Sequence, residues 1–290
     1  MKIRKAVIPA AGLGTRVLPA SKAIPKEMLP IVDKPVIQYI VEEAVQAGIT
    51  DILVITSRGK GAIADHFDRS PELEERLLAG GKQAVYDQIR AIPELANLTF
   101  IRQKETKGLG HAVLCAKEFV GDEPFAVLYG DDVIIGEQSA TAELCAAYEK
   151  HGKGVVGIKE VPHEMISKYS SLKADPIGER EYLVTDMIEK PQTEAEVLSY
   201  FSILGRCVLP PEIFGILEHT APGAGGEIQL TDAMLVLAKN GGMIGVDYTG
   251  TRYDMGNKLG MLQAAVEVGL KHPEVGRAFR AYLKEIAKTL

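Results

Sequence analysis

Short apolar runs alternate with longer stretches of helical period through the first half of this chain. Residues 6–8 form a brief apolar run ending at Pro9, and residues 51–56, 98–102 and 125–129 repeat the pattern. Uninterrupted apolar runs of this length predict strands buried on both faces. Between the first two, Val36, Ile37, Ile40, Val41, Ala44 and Val45 recur at helical spacing, with Pro35 in the first turn and Gly48 at the end. Residues 60–92 read as helical with a break at Gly80 and Gly81, and residues 108–119 as a further helix. Strands separated by helices imply a largely parallel sheet covered on both sides.

The pattern changes near residue 153. Residues 155–161, 182–189 and 201–209 are strand-like with turn residues between them, which predicts a smaller antiparallel addition. Helices are expected at 211–219 and 229–239, a strand at 243–248, and two C-terminal helices from Lys258 split at His272 and Pro273. The expected architecture is one Rossmann-like α/β domain with a mixed, mostly parallel sheet flanked by helices. Its regions would be 1–150, 151–257 and a helical tail, 258–290.

Composition narrows the class. With 290 residues, 46% of them hydrophobic and 25% charged, the chain is an ordinary globular protein. Its 33 Lys and Arg against 39 Asp and Glu give a net charge of −6, which argues against nucleic acid or an anionic membrane as partner. An anionic substrate would need a local concentration of positive charge. Three cysteines (Cys115, Cys145, Cys207) without a Cys-x-x-Cys pair support neither a disulfide framework nor a cysteine zinc site, and the six histidines lack zinc-ligand spacing. The charged start and apolar run at 2–13 contain Pro9 and Gly12, so they read as a first strand and loop rather than a signal peptide. No apolar stretch approaches the ~20 residues of a membrane span. A cytoplasmic protein is expected.

The candidate chemistry starts at residue 10. Ala10-Ala11-Gly12-Leu13-Gly14-Thr15-Arg16 follows the first strand, where glycines let backbone N–H groups approach a phosphate. A dinucleotide fingerprint would need glycine at Val17, which removes a nicotinamide-dependent oxidoreductase from consideration, and a Walker Gly-Lys-Ser/Thr is absent. Alone, the loop could be a plain tight turn. Arg16, Lys22 and Lys26 lie within eleven residues of one another, beside a segment punctuated by Pro25 and Pro30. That is the local positive charge an anionic ligand requires, unless it is a solvated basic loop. Asp131 and Asp132 end the strand at 125–129, at the same sheet edge as the loop, and Asp254 is a second carboxylate from a distant loop. Such carboxylates suit a hard divalent cation completed by water and phosphate oxygens.

Residues 9–40 (PAAGLGTRVLPASKAIPKEMLPIVDKPVIQYI) resemble the signature of bacterial UTP–glucose-1-phosphate uridylyltransferases, within the sugar-1-phosphate nucleotidylyltransferase family. The resemblance continues, in order, through Gln103, Lys107 to Ala112, Gly130-Asp131-Asp132, Ile188-Glu189-Lys190-Pro191, Gly226 to Asp232 and Arg252 to Gly256. It implies uridylyl transfer from UTP to glucose 1-phosphate, with Mg²⁺ as cofactor on Asp131 and Asp254. It implies nucleotide contacts from Ala11, Gly12, Gly14, Glu27, Gln103 and Gly108, with Glu27 an acceptor for the uracil imide. Arg16 and Lys26 would hold the pyrophosphate side, Lys190 the sugar phosphate, and Glu189 and Asp132 the sugar side. His111 is assigned a structural rather than a catalytic role. A homodimer or homotetramer is expected.

Three places depart from the family pattern. Ser21 stands where threonine is usual, Ser170 where glycine follows the tyrosine, and Ser199-Tyr200-Phe201-Ser202 replaces Ser-Asn-Leu-Ala. The last two lie on the sugar side, so a different hexose 1-phosphate stays open, as do dTTP as donor and a non-catalytic nucleotide-sugar sensor.

Overall fold

The structure is a computed structural model that describes residues 2–289. Its strands are β1 (Lys5–Pro9), β2 (Pro30–Ile31), β3 (Lys34–Pro35), β4 (Asp51–Thr56), β5 (Asn97–Arg102), β6 (Phe125–Leu128), β7 (Asp132–Ile135), β8 (Val155–Glu160), β9 (Ser170–Pro176), β10 (Glu181–Glu189), β11 (Phe201–Leu209), β12 (Met243–Asp247) and β13 (Thr251–Asp254). Nine of them form one sheet in the order β5-β4-β1-β6-β11-β8-β12-β10-β9. Along that order only β11 and β10 run against the other seven, so the sheet is mixed and mostly parallel.

Both faces are buried, as the continuous apolar runs predict. In β1, Ala6 and Ile8 enter one core cluster and Val7 the other; in β4, Ile52 and Val54 divide from Leu53 and Ile55 in the same way. The helix Val36–Gln46 packs its apolar stripe into the first cluster, and Leu230–Lys239 packs into the second.

The antiparallel elements expected beyond residue 153 are β10 and β11, which with β8, β9 and β12 carry the same sheet across to its far edge. One expectation changes. The helix expected at 108–119 is broken into Leu109–Leu114 and Lys117–Val120, because Cys115 N–H bonds back to both the His111 and Ala112 carbonyls and tightens the turn. The antiparallel ribbon of β7 and β13 lies outside the main sheet and places Asp254 opposite Asp132.

Candidate active site

The carboxyl ends of parallel strands in an open sheet are where ligands bind, and four such ends supply this site. Beyond β1, Gly14 takes a left-handed conformation (φ 69°), and Ser21 Oγ donates to its carbonyl at 2.7 Å. A Cβ on Gly14 would lie 3.1 Å from Ser21 Cβ and 3.3 Å from Lys26 Cβ, so glycine lets the loop fold onto the lysine segment. Beyond β6, a Cβ on Gly130 would stand 2.7 Å from the Pro9 carbonyl; its absence lets the Asp131 turn lie against the end of β1.

These turns bring opposite charges together. Lys26 Nζ donates to Asp131 Oδ2 at 2.5 Å. Arg16 reaches Asp131 at 3.5 Å and Asp254 at 3.7 Å. Asp131 Oδ2 and Asp254 Oδ1 each lie 2.8 Å from where a Cβ on Gly256 would stand, so they are no more than twice that distance apart. Burial pushes the Asp131 carboxyl up, but Lys26 and then Arg16 outweigh it and hold it below the usual range. Two neighbouring anionic carboxylates offer the all-oxygen donors a hard divalent cation prefers, so the residues fit such an ion, with water and phosphate supplying the remaining ligands. Among the described residues no group of three or more His, Cys, Asp or Glu side chains gathers around a metal position.

Asp132 is held by two arginines. Arg252 Nη2 and Nε contact its Oδ1 at 2.6 and 2.7 Å, and Arg206 donates to its backbone carbonyl at 2.9 Å while gripping Glu43 at 2.6 and 3.0 Å. Burial raises the Asp132 carboxyl to about 6, against the pull of Arg252, with Asp131 and Asp254 adding repulsion. At the end of β10, Glu189 Oε2 accepts from Thr231 Oγ1 at 2.8 Å, and burial raises its carboxyl. Lys190 has a left-handed backbone (φ 49°), is 45% exposed, and approaches Glu189 only to 3.9 Å.

Of the residues expected in the site, Ala11, Gly12, Lys26, Gln103, Gly108 and Asp131 line one cleft of about 250 Å³, together with Thr106, Tyr129 and Glu227. Arg16 and Asp254 face an adjoining hollow of about 610 Å³ that also includes Tyr169 and Arg252. Burial raises the Tyr129 phenol, with Cys207, Glu189, Asp132 and Asp131 adding to it. Glu27 is placed elsewhere than in the cleft wall. It is 1% exposed, and both its oxygens accept from Lys60 Nζ at 2.8 Å.

Lys60 is the residue the sequence reading missed. Its ammonium also donates to the Ala10 carbonyl at 2.6 Å, so one buried cation ties the glycine loop to the Lys26 turn. Its only signal in the sequence was its position just beyond β4, at the same sheet edge as the loop. Arg206 carried no signal at all.

Of the residues that depart from the family pattern, Ser170, Ser199 and Ser202 turn their hydroxyls onto the protein. Ser170 Oγ accepts from Ile203 N–H at 3.0 Å and meets Ser202 Oγ at 3.3 Å, and Ser170 is 4% exposed. Ser199 Oγ donates to the Leu172 carbonyl at 2.6 Å.

Fold and site define an α/β protein with a cationic, carboxylate-bearing cleft at the carboxyl edge of a doubly covered sheet. The chain belongs to the nucleotidyl transferase family, which it matches over residues 5–269. It is 51% identical over 99% of its length, and 96% of the relative's, to a UTP–glucose-1-phosphate uridylyltransferase of Bacillus subtilis. It is 47% identical to one of Staphylococcus epidermidis, covering 98% of this chain and 99% of that one. Among solved structures, a UDP-glucose pyrophosphorylase complexed with UDP-glucose superposes with a TM-score of 0.85 at 41% identity, covering 93% of this chain and 100% of that one. A UTP-bound UGPase from Acinetobacter baumannii gives 0.90 at 38% identity, covering 98% and 99%.

Proposed function

We propose that this protein transfers the uridylyl group of UTP to glucose 1-phosphate, giving UDP-glucose and pyrophosphate. The observation that carries the reading is the meeting of Lys26, Arg16, Asp131 and Asp254 beside a cleft walled by the glycine loop.

A phosphate oxygen of the sugar is already an anionic nucleophile, so no Ser, Cys or His nucleophile is needed. It attacks the α-phosphorus in line, and the bond to the β,γ-pyrophosphate breaks. Catalysis then rests on positioning two polyanions and neutralising charge. The backbone of Ala11, Gly12 and Gly14 follows the nucleotide phosphates. Lys26 and Arg16 hold the leaving pyrophosphate side. Lys190, exposed and only loosely met by Glu189, is free to turn onto the sugar phosphate, while Glu189 accepts from sugar hydroxyls and Asp132 steadies the sugar side. Asp131 and Asp254 would hold Mg²⁺, which supplies charge neutralisation between the two phosphates when bound.

Residues 1–150 form the nucleotide half and 151–257 the sugar-phosphate half of this reading. We read the protein as a cytoplasmic homodimer or homotetramer, a reading supported by the exposed Leu259, Leu262 and Tyr282 of its C-terminal helices. No helix among the described residues is long and apolar enough to cross a membrane. Size-exclusion chromatography with light scattering checks the assembly: a species of two or four chains is expected, and a monomer at micromolar concentration contradicts it.

The reaction is tested with purified protein on a panel of UTP, dTTP, glucose 1-phosphate and other hexose 1-phosphates, with and without Mg²⁺. Pyrophosphate release is expected to be fastest with UTP and glucose 1-phosphate. Nucleotide binding without release from any pair would leave the sensor reading instead.

A further inference from the structure

The geometry points to His111 as a positioning residue that locks the Gln103 amide and so sets the choice between imide bases and cytosine; the inference rests on the reading that this cleft receives the nucleotide base. Gln103 follows β5, is 5% exposed and lines the cleft beside Gly108. Its Nε2 lies 3.1 Å from the Gly108 carbonyl oxygen and 2.9 Å from His111 Nδ1. A carbonyl oxygen only accepts, so the amide must turn its nitrogen to that side; the opposite flip would face oxygen with oxygen. Both hydrogens of the NH₂ are then committed, one to Gly108 and one to His111. His111 Nδ1 must be the acceptor, which puts the ring hydrogen of the neutral imidazole on Nε2.

Gln103 Oε1 has no protein partner among the described residues, and it is not a sealed, unsatisfied atom. It is the part of the amide left for the cleft, and it can only accept. Uracil and thymine present an N3–H at the edge where cytosine presents a bare N3. An acceptor with a fixed orientation pairs with the first and repels the second. An amide free to rotate would serve both. His111 contributes the shorter of the two bonds that prevent rotation.

The helix start holds the imidazole in place. Gly110 N–H donates to the Ile228 carbonyl at 2.8 Å, and a Cβ on Gly108 would stand 2.7 Å from that carbonyl and from Glu227 Cβ. Residues 227 and 228 therefore clamp the first turn of Leu109–Leu114, with His111 on it.

The test is steady-state pyrophosphate release with UTP, dTTP and CTP as donors. For His111→Phe, which keeps ring volume and removes the acceptor, the UTP:CTP ratio of kcat/KM is expected to fall at least tenfold. The UTP:dTTP ratio should stay within twofold, and the loss for UTP should fall mainly on KM. His111→Asn, whose side-chain carbonyl can accept, should recover part of the UTP:CTP ratio. Gln103→Leu should collapse the ratio, with His111→Phe adding nothing on that background. The proposal is overturned if His111→Phe keeps the UTP:CTP ratio within twofold of wild type, if all three donors lose equally, or if the wild type uses UTP and CTP alike. If wild type releases pyrophosphate from none of them, the reaction reading fails instead. Equilibrium titration with UMP and CMP then decides on His111: the variant should narrow their affinity ratio, and an unchanged ratio overturns the lock.

Discussion

The two sides of the cleft are built from different materials. On the glycine-loop side the buried charges meet opposite ones supplied by the chain, Lys60 with Glu27 and Lys26 with Asp131. Around β9 and the start of β11 the buried polar groups are mostly neutral hydroxyls, from Ser170, Ser171 and Ser202 with the half-buried Ser199 beside them, and Lys190 is half in water. Buried ion pairs fix geometry at a cost in desolvation, and they tolerate the loss of one partner poorly. A hydroxyl network gives up less when changed. The glycine-loop side is thus a preset frame, whereas the other side keeps an exposed cation, Lys190, that meets its nearest carboxylate only at 3.9 Å.

The largest expected effect breaks that frame. Lys60→Met leaves Glu27 buried without its cation and the Ala10 carbonyl without its donor, and should cost ~3–5 kcal/mol of stability. Urea denaturation of wild type and variant measures it. A loss below ~1 kcal/mol would mean that Glu27 readily finds another partner. Pairing it with Glu27→Gln should recover part of the loss.

Next is Gly256→Ala. The added Cβ would stand 2.8 Å from both Asp131 and Asp254 oxygens, inside the space where the carboxylates and Arg16 meet. Displacement of catalytic groups by about 1 Å can cost roughly a hundredfold in rate. Turnover at saturating substrates should fall by that order while the circular dichroism spectrum is retained. Near-normal turnover would show that the carboxylates need not keep this spacing.

Lys190→Ala acts on the other side. Its ammonium has no close protein partner to leave stranded, so stability should hold. KM for glucose 1-phosphate should rise about tenfold or more and kcat should fall, since losing one phosphate donor removes roughly 2–3 kcal/mol of transition-state stabilisation. UTP affinity by titration should stay within twofold. A matching loss of UTP affinity would erase the distinction between the two sides.

The smallest effect is expected at Ser170→Gly, which restores the glycine usual in the family. The Ser170 hydroxyl faces Ile203 and Ser202 rather than the cleft. The change should cost ~1 kcal/mol, an ordinary buried hydrogen bond. The preference for glucose 1-phosphate over galactose 1-phosphate should remain within twofold. A larger shift would show that this serine reaches the sugar after all.

The same contrast governs what the sequence discloses. Strands β1, β4, β6 and β11 are buried on both faces and advertise themselves as apolar runs. β7, β9 and β13 escape notice because they are short or lie at an edge, and because their residues are partly site residues: Asp132 opens β7 and Asp254 closes β13. The glycine loop, Lys26 and Asp131 are legible from their place at strand ends. Lys60 is not, because its partners lie 33 and 50 residues away and only the parallel pairing of β1 with β4 brings them near. Glu27 illustrates the converse: a local motif places it beside Lys26, but only the fold shows that its carboxylate turns inward.

The central claim is that Asp131 and Asp254 bring a divalent cation to the place where Lys26 and Arg16 gather phosphate. Its most direct test is a Mg²⁺ titration of pyrophosphate release for wild type, Asp131→Asn and Asp254→Asn at saturating UTP and glucose 1-phosphate. Saturable Mg²⁺ dependence is expected in the wild type, with turnover at least a hundredfold lower in each variant at any Mg²⁺ concentration. Wild-type turnover in either variant, with an unchanged Mg²⁺ midpoint, would contradict the account.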